Sequence, residues 1–134
     1  MAGDQELLMR MGVTHVLNCA PYSAEEEKKL MQSLGIQYRE IAMLDSPEFD
    51  MNPIIYEAVG LIDEAMKQQG VCLVHCNAGI SRSTSIVISY LMLRRSMSFE
   101  SAFDLVKSLY SKVRPNEGFL VQLKELCKRE VSLQ

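Results

Sequence analysis

Residues 71–74, VCLV, are apolar on both faces, follow Gly70, and run directly into HCNAGISRS at residues 75–83. A short strand that is apolar on both sides must be covered on both sides, and helical cover on each face of a sheet goes with parallel strands joined by crossovers. Ile86, Val87, Ile88, Tyr90, Leu91, Met92 and Leu93 then read as a buried helix. It starts at about Arg82 and ends at the basic pair Arg94 and Arg95, where cations suit a helix carboxyl terminus. This order restricts the chain to an α/β fold, with an interior parallel strand whose carboxyl end carries the turn. Open α/β sheets bind ligands at such ends.

The same alternation recurs upstream. Residues 4–11 read as a short helix capped by Asp4 and closed by Gly12, residues 13–18 as a strand, and residues 24–33 as a helix that Ser23 is expected to cap and Gly35 to close. Residues 36–41 make a second strand. A loop at 44–52 holds Asp45, Pro47, Glu48 and Asp50. Asn52 and Pro53 then open a helix whose apolar residues (Ile54, Ile55, Ala58, Leu61, Ile62) recur at helical spacing up to a stop at Gly70. Ser98 and Asn116 start two more helices, with Phe99, Ala102, Phe103, Val106 and Leu109 inward on one and Phe119, Leu120, Leu123, Leu126 and Cys127 inward on the other. The expected fold is a central, largely parallel twisted sheet flanked by helices. The 134 residues (1–134) are expected to form a single domain, since this length fills one core.

Within the turn, Cys76 and Arg82 are candidates for one chemical site. A free thiol is only a few per cent thiolate at neutral pH, so Cys76 as a nucleophile needs its anion stabilised. Backbone N–H groups, a helix amino terminus and Arg82 can each do so. Arg82 brings the planar fork that matches two phosphoryl oxygens, and Gly79 lets the backbone approach an anion without a side chain in the way. Ser83 can donate its hydroxyl to the sulfur or serve the helix start, and His75 can orient the turn or be a satisfied core histidine. Asn77, Ala78 and Ile80 shape the rim, and Ser81 has no evident task. Expelling an alkoxide or phenolate also requires a proton donor. Asp45, 31 positions before Cys76, is the first candidate, with Asp50 and Glu48 behind it.

HCNAGISRS resembles the HCxxGxxRS signature of cysteine-dependent protein phosphatases, and the chain is similar to a small atypical dual-specificity phosphatase of the protein tyrosine phosphatase superfamily. The likeness extends over GVTHVLNCA (12–20), the Asp45 loop with the helix after it, SYLM (89–92), FESAFDLVK (99–107) and PNEGFLVQL (115–123), in the family's order. The resemblance implies the cysteine-dependent phosphatase fold, and here one expected to lack the family's first edge strand. It also implies hydrolysis of phosphotyrosine and of phosphoserine or phosphothreonine on proteins, without metal or other cofactor. Cys76 would attack phosphorus, and Asn77, Ala78, Gly79, Ile80, Ser81 and Arg82 would cradle the oxygens. Asp45 would act as acid and then base, and Ser83 would assist hydrolysis of phosphocysteine.

Other readings carry different signatures. A phosphatase of a polyanionic nonprotein substrate, an inositol lipid or an RNA 5′ end, favours lysines inside the turn, where Asn77, Ala78, Ile80 and Ser81 are uncharged. A phosphate-binding scaffold is expected to lack the nucleophile, the arginine or the acid, and all three are present. The formal charge of -3 argues weakly against gripping nucleic acid or an anionic membrane, and the resemblance implies phosphorylated proteins as the partners. MAGDQELLMRMG lacks the apolar core and cationic head of a signal peptide, which leads to an expected cytoplasmic or nuclear location. Cys19, Cys72, Cys76 and Cys127 form no CxxC pair and sit in apolar segments, so neither a zinc site nor a disulfide framework is expected. A disulfide trapping Cys76 with Cys72 or Cys19 is a further possibility.

Overall fold

The computed structural model describes residues 5–77 and 80–133, with side chains to 129. Strands β1 (His15–Asn18), β2 (Gln37–Glu40) and β3 (Cys72–His75) pair in parallel in the order β2-β1-β3. His15 stands opposite Gln37 and Cys72, and Asn18 opposite Glu40 and His75, so the three carboxyl ends finish level. The central strand among the described residues is β1, which is buried throughout, whereas β3 pairs on one side only. That corrects the reading of residues 71–74 as an interior strand. Apolarity on both faces reports cover above and below the sheet, and carries no information about neighbours in its plane.

Helices α1 (Gln5–Met11) and α2 (Glu25–Ser33) cover one face, where Leu8, Val16, Met31, Ile36 and Leu73 meet. Helices α3 (Asn52–Lys67), α4 (Arg82–Arg94), α5 (Phe99–Leu109) and α6 (Glu117–Leu133) cover the other, around Leu17, Ile55, Ile86, Ile88, Phe119 and Leu123. Side chains alternate along a strand, so Val16 and Leu73 point one way, and Leu17, Cys72 and Val74 the other. His75 has the parity of Leu73 and therefore faces α2. Each large apolar side chain fully buried here contributes about 1.5–3 kcal/mol relative to exposure.

α4 lies deepest, yet its first turns are rich in hydroxyls. Ser83 turns to Cys76, and the other three keep a partner by folding back on the preceding turn. Thr84 donates to the Ile80 carbonyl at 2.8 Å, Ser85 to Ser81 at 2.6 Å and Ser89 to Ser85 at 2.9 Å.

Three boundaries differ from expectation. Ser23 does not cap α2: it sits at φ 62°, and Ala24 takes the cap position with no side-chain hydrogen bond. After α3 the left-handed residue is Gln69, at φ 57°, rather than Gly70. Gly70 is needed for space instead, because a Cβ there would collide with the Thr14 hydroxyl and stand 3.2 Å from His15 Nδ1. Leu109, at the end of α5, is 80% exposed rather than inward, the helix having run past the core.

Candidate active site

Cys76 follows β3 directly and lies half-buried against the first turn of α4. Its Sγ is 3.2 Å from Ser83 Oγ and accepts the Ser83 N–H at 3.4 Å. The Ser83 amide is among the first N–H groups of α4, which have no partner inside the helix, and the positive end of the helix dipole adds to their pull on an anion. Arg82 opens α4, and its Nη1 donates to the Met43 carbonyl at 3.2 Å, which holds the guanidinium beside the turn. A cleft of about 530 Å³ adjoins the turn, lined by Asp45, Asn77, Ile80, Ser81, Arg82 and Arg114 among others, while Cys76 lines a smaller neighbouring pocket of about 290 Å³ that shares Asn77 with it.

Of the three acids in the 44–52 loop, Asp45 alone lines that cleft. Asp45 Oδ1 accepts from Asn116 Nδ2 at 3.0 Å. Asp50 is engaged elsewhere, accepting from the Asn52 backbone N–H at 3.0 Å and side-chain amide at 2.8 Å at the start of α3. Glu48 is turned to solvent and bonded to the Ser46 hydroxyl, which holds its carboxyl below the ordinary carboxylate range. The structure therefore brings Cys76 into contact with Ser83 and places Arg82 and Asp45 on the adjoining cleft, with exposed Asn77 and Ile80 at the rim. Ser81 is buried and gains a task, its Oγ accepting the Asn116 N–H at 3.0 Å. Ala78 and Gly79 lie outside the described residues.

Behind the cysteine, His75 Nε2 is 2.8 Å from Glu27 Oε2, with both side chains largely enclosed. Glu27 also accepts from Asn18 Nδ2 at 3.3 Å, and that amide reaches Tyr38 Oη at 2.9 Å. The Cys19 N–H donates to the His75 carbonyl at 2.7 Å. His75 is thus hydrogen-bonded on the α2 side of the sheet, and with Glu27 it lines the smaller pocket that Cys76 also lines. Burial, then the neighbouring Cys76, pushes the Cys19 thiol up to about 12, and burial pushes Cys72 up to about 11. Both are far less ready to form thiolates than a free cysteine.

Three contributors escaped sequence reasoning. Asn116 was legible only as a helix start, which it is, its Oδ1 accepting the Phe119 N–H at 2.9 Å. Glu27 is one of three consecutive acids in the first turn of α2, and nothing in the sequence singles it out. Arg114 brings a second cation to a site whose turn is otherwise uncharged apart from Arg82, and the Arg114 N–H donates to the Ile80 carbonyl at 2.8 Å. In each case the partner is remote in the chain and no local spacing announces it.

The family model described as dual specificity phosphatase, catalytic domain, matches residues 2–129. The chain belongs to the dual specificity phosphatase catalytic domain family. Protein-tyrosine-phosphatase MKP1 of Arabidopsis thaliana is 40% identical over 129 residues, covering 96% of this chain and 16% of that protein. Dual specificity protein phosphatase 26 of Homo sapiens is 38% identical over 130 residues, covering 96% of this chain and 61% of that protein. The chain thus spans less than two thirds of the length of both relatives. Among solved structures, human DUSP28 superposes with a TM-score of 0.83 at 30% identity, covering 97% of this chain and 84% of that one. The dual specificity phosphatase fold expected from the sequence is the fold observed, in a parallel sheet of three strands among the described residues.

Proposed function

We propose that this chain hydrolyses phosphotyrosine and phosphoserine or phosphothreonine on proteins through a phosphocysteine intermediate. One observation carries the reading: Cys76 Sγ sits on the Ser83 N–H and Oγ at the amino end of α4, with Arg82 and Asp45 on the adjoining cleft. In the first step the Cys76 thiolate forms a bond to phosphorus while the bond from phosphorus to the ester oxygen breaks. Arg82 and the turn's backbone N–H groups hold the other three oxygens, and the Asp45 carboxyl passes its proton to the departing oxygen. In the second step the Asp45 carboxylate takes a proton from water as that water attacks phosphorus. The thiolate leaves, accepting from the Ser83 hydroxyl, and inorganic phosphate is released. The family membership and the relatives named as protein phosphatases support the protein substrate class.

The test uses the purified chain under reducing conditions with phosphotyrosine and phosphothreonine peptides and a soluble phosphoinositide. Turnover of both peptides is expected, and Cys76→Ser is expected to abolish it with the fold retained by circular dichroism. Preference for the phosphoinositide would replace the substrate assignment. Phosphate binding without turnover would replace the enzymatic one.

A further inference from the structure

The acid loop meets the start of α6 at four places: Asp45, Pro47, Phe49 and Met51. Asn116 caps the helix through Oδ1, which accepts from Phe119 N–H at 2.9 Å, and this fixes the amide so that Nδ2 donates to Asp45 Oδ1 at 3.0 Å. The Asn116 backbone N–H meanwhile donates to Ser81 Oγ at 3.0 Å, directly before Arg82. One residue thus ties the acid loop to the phosphate-binding turn. Two residues on, Gly118 lies flush against Pro47: a Cβ there would stand within 2.6 Å of the Pro47 Cα and carbonyl carbon and collide with its oxygen. All three are backbone atoms, so nothing flexible can yield. Further along, Gln122 Nε2 donates to the Phe49 carbonyl at 2.8 Å, Gln122 Oε1 accepts the Met51 N–H at 2.6 Å, and the Phe119 ring meets Phe49 edge to face.

We propose that Asn116 and Gly118 are positioning residues for Asp45, the first turn of α6 serving as the template that sets the distance between the proton donor and the Cys76–Arg82 turn. The proposal rests on the reading of Asp45 as general acid. Proton transfer requires the donor within hydrogen-bond reach of the leaving oxygen, so a displaced Asp45 harms expulsion of poor leaving groups and spares good ones.

Asn116→Ser isolates the effect, because serine caps a helix about as well as asparagine but is too short to bring a donor to Asp45. The measurement is kcat/KM for a series of aryl phosphates whose phenols differ in acidity, with thermal unfolding alongside. Asn116→Ser is expected to lower kcat/KM about tenfold for the least acidic phenols, the size of loss that follows removal of one hydrogen bond to a charged group, and to leave the most acidic phenols and the melting temperature nearly unchanged. Gly118→Ala, which displaces Pro47, is expected to steepen the same dependence. In an Asp45→Ala background neither substitution is expected to add to the loss. Equal loss across all leaving groups, or further loss in that background, would overturn the proposal while leaving the acid assignment intact. An Asp45→Ala protein with wild-type dependence on leaving group would instead overturn the acid assignment itself.

Discussion

Ser83 makes two contacts with the same sulfur, one from its backbone and one from its side chain, and the two can be separated. Ser83→Ala keeps the N–H, so the thiolate is still held for attack. It loses the hydroxyl that meets the sulfur when thiolate is the leaving group. A hydrogen bond to a charged group contributes about 1.5–3 kcal/mol, so hydrolysis of phosphocysteine is expected to slow about tenfold or more. With a good leaving group, kcat falls, kcat/KM holds, and a burst of product nearly stoichiometric with enzyme appears in the first turnover. A parallel fall in kcat and kcat/KM, without a burst, would place Ser83 in the attack step instead. Ser83 was readable in sequence because it is seven positions from Cys76 in one turn. Ser81 and Asn116 are 35 apart, and Asp45 and Asn116 are 71 apart. Nothing but the fold brings those side chains into contact.

The helix starts show what local sequence can and cannot specify. Ser98 caps α5 as its residue type suggests, in an extended conformation (φ -66°, ψ 162°) with its Oγ accepting the Ser101 N–H at 3.1 Å. Ser23 is the same residue type before an equally good helix pattern, but its backbone is drawn to φ 62° and its side chain makes no cap. Ser98→Ala is therefore expected to destabilise the protein by about 1 kcal/mol, the usual loss for an N-cap. Ser23→Ala removes no cap, and Ser23→Gly is expected to stabilise by a few tenths to about 1 kcal/mol, since glycine adopts positive φ without strain. Urea unfolding midpoints check both, and a Ser23→Ala loss as large as that of Ser98→Ala would contradict the assignment. The helices and strands were legible because periodicity and caps are local. The place of β3 in the sheet was not, because pairing in the plane of a sheet leaves no periodic mark distinct from burial by helices.

Across the whole molecule the sheet encloses Cys19 fully and Cys72 in part, and this ties stability to alkaline pH. An ordinary thiol titrates near 9.0, whereas burial raises Cys19 to about 12 and Cys72 to about 11, and burial also raises the Tyr38 phenol. Below pH 9 both thiols carry their protons in the folded and the unfolded chain, so they bias neither state. As pH rises above that value the unfolded thiols ionise while the folded ones stay protonated. The unfolded state then binds fewer protons, and folding stability falls with pH until the folded values are reached. Stability measured by urea unfolding is thus expected to decline between about pH 9 and about pH 11. Cys19→Ala is expected to lower stability at neutral pH, through a small cavity, yet to decline less steeply over that interval. An unchanged slope would mean that Cys19 ionises as freely in the fold as out of it. Alkylation separates the two cases: a protonated, enclosed Cys19 stays unmodified at neutral pH while Cys76, on the half-open turn, is labelled.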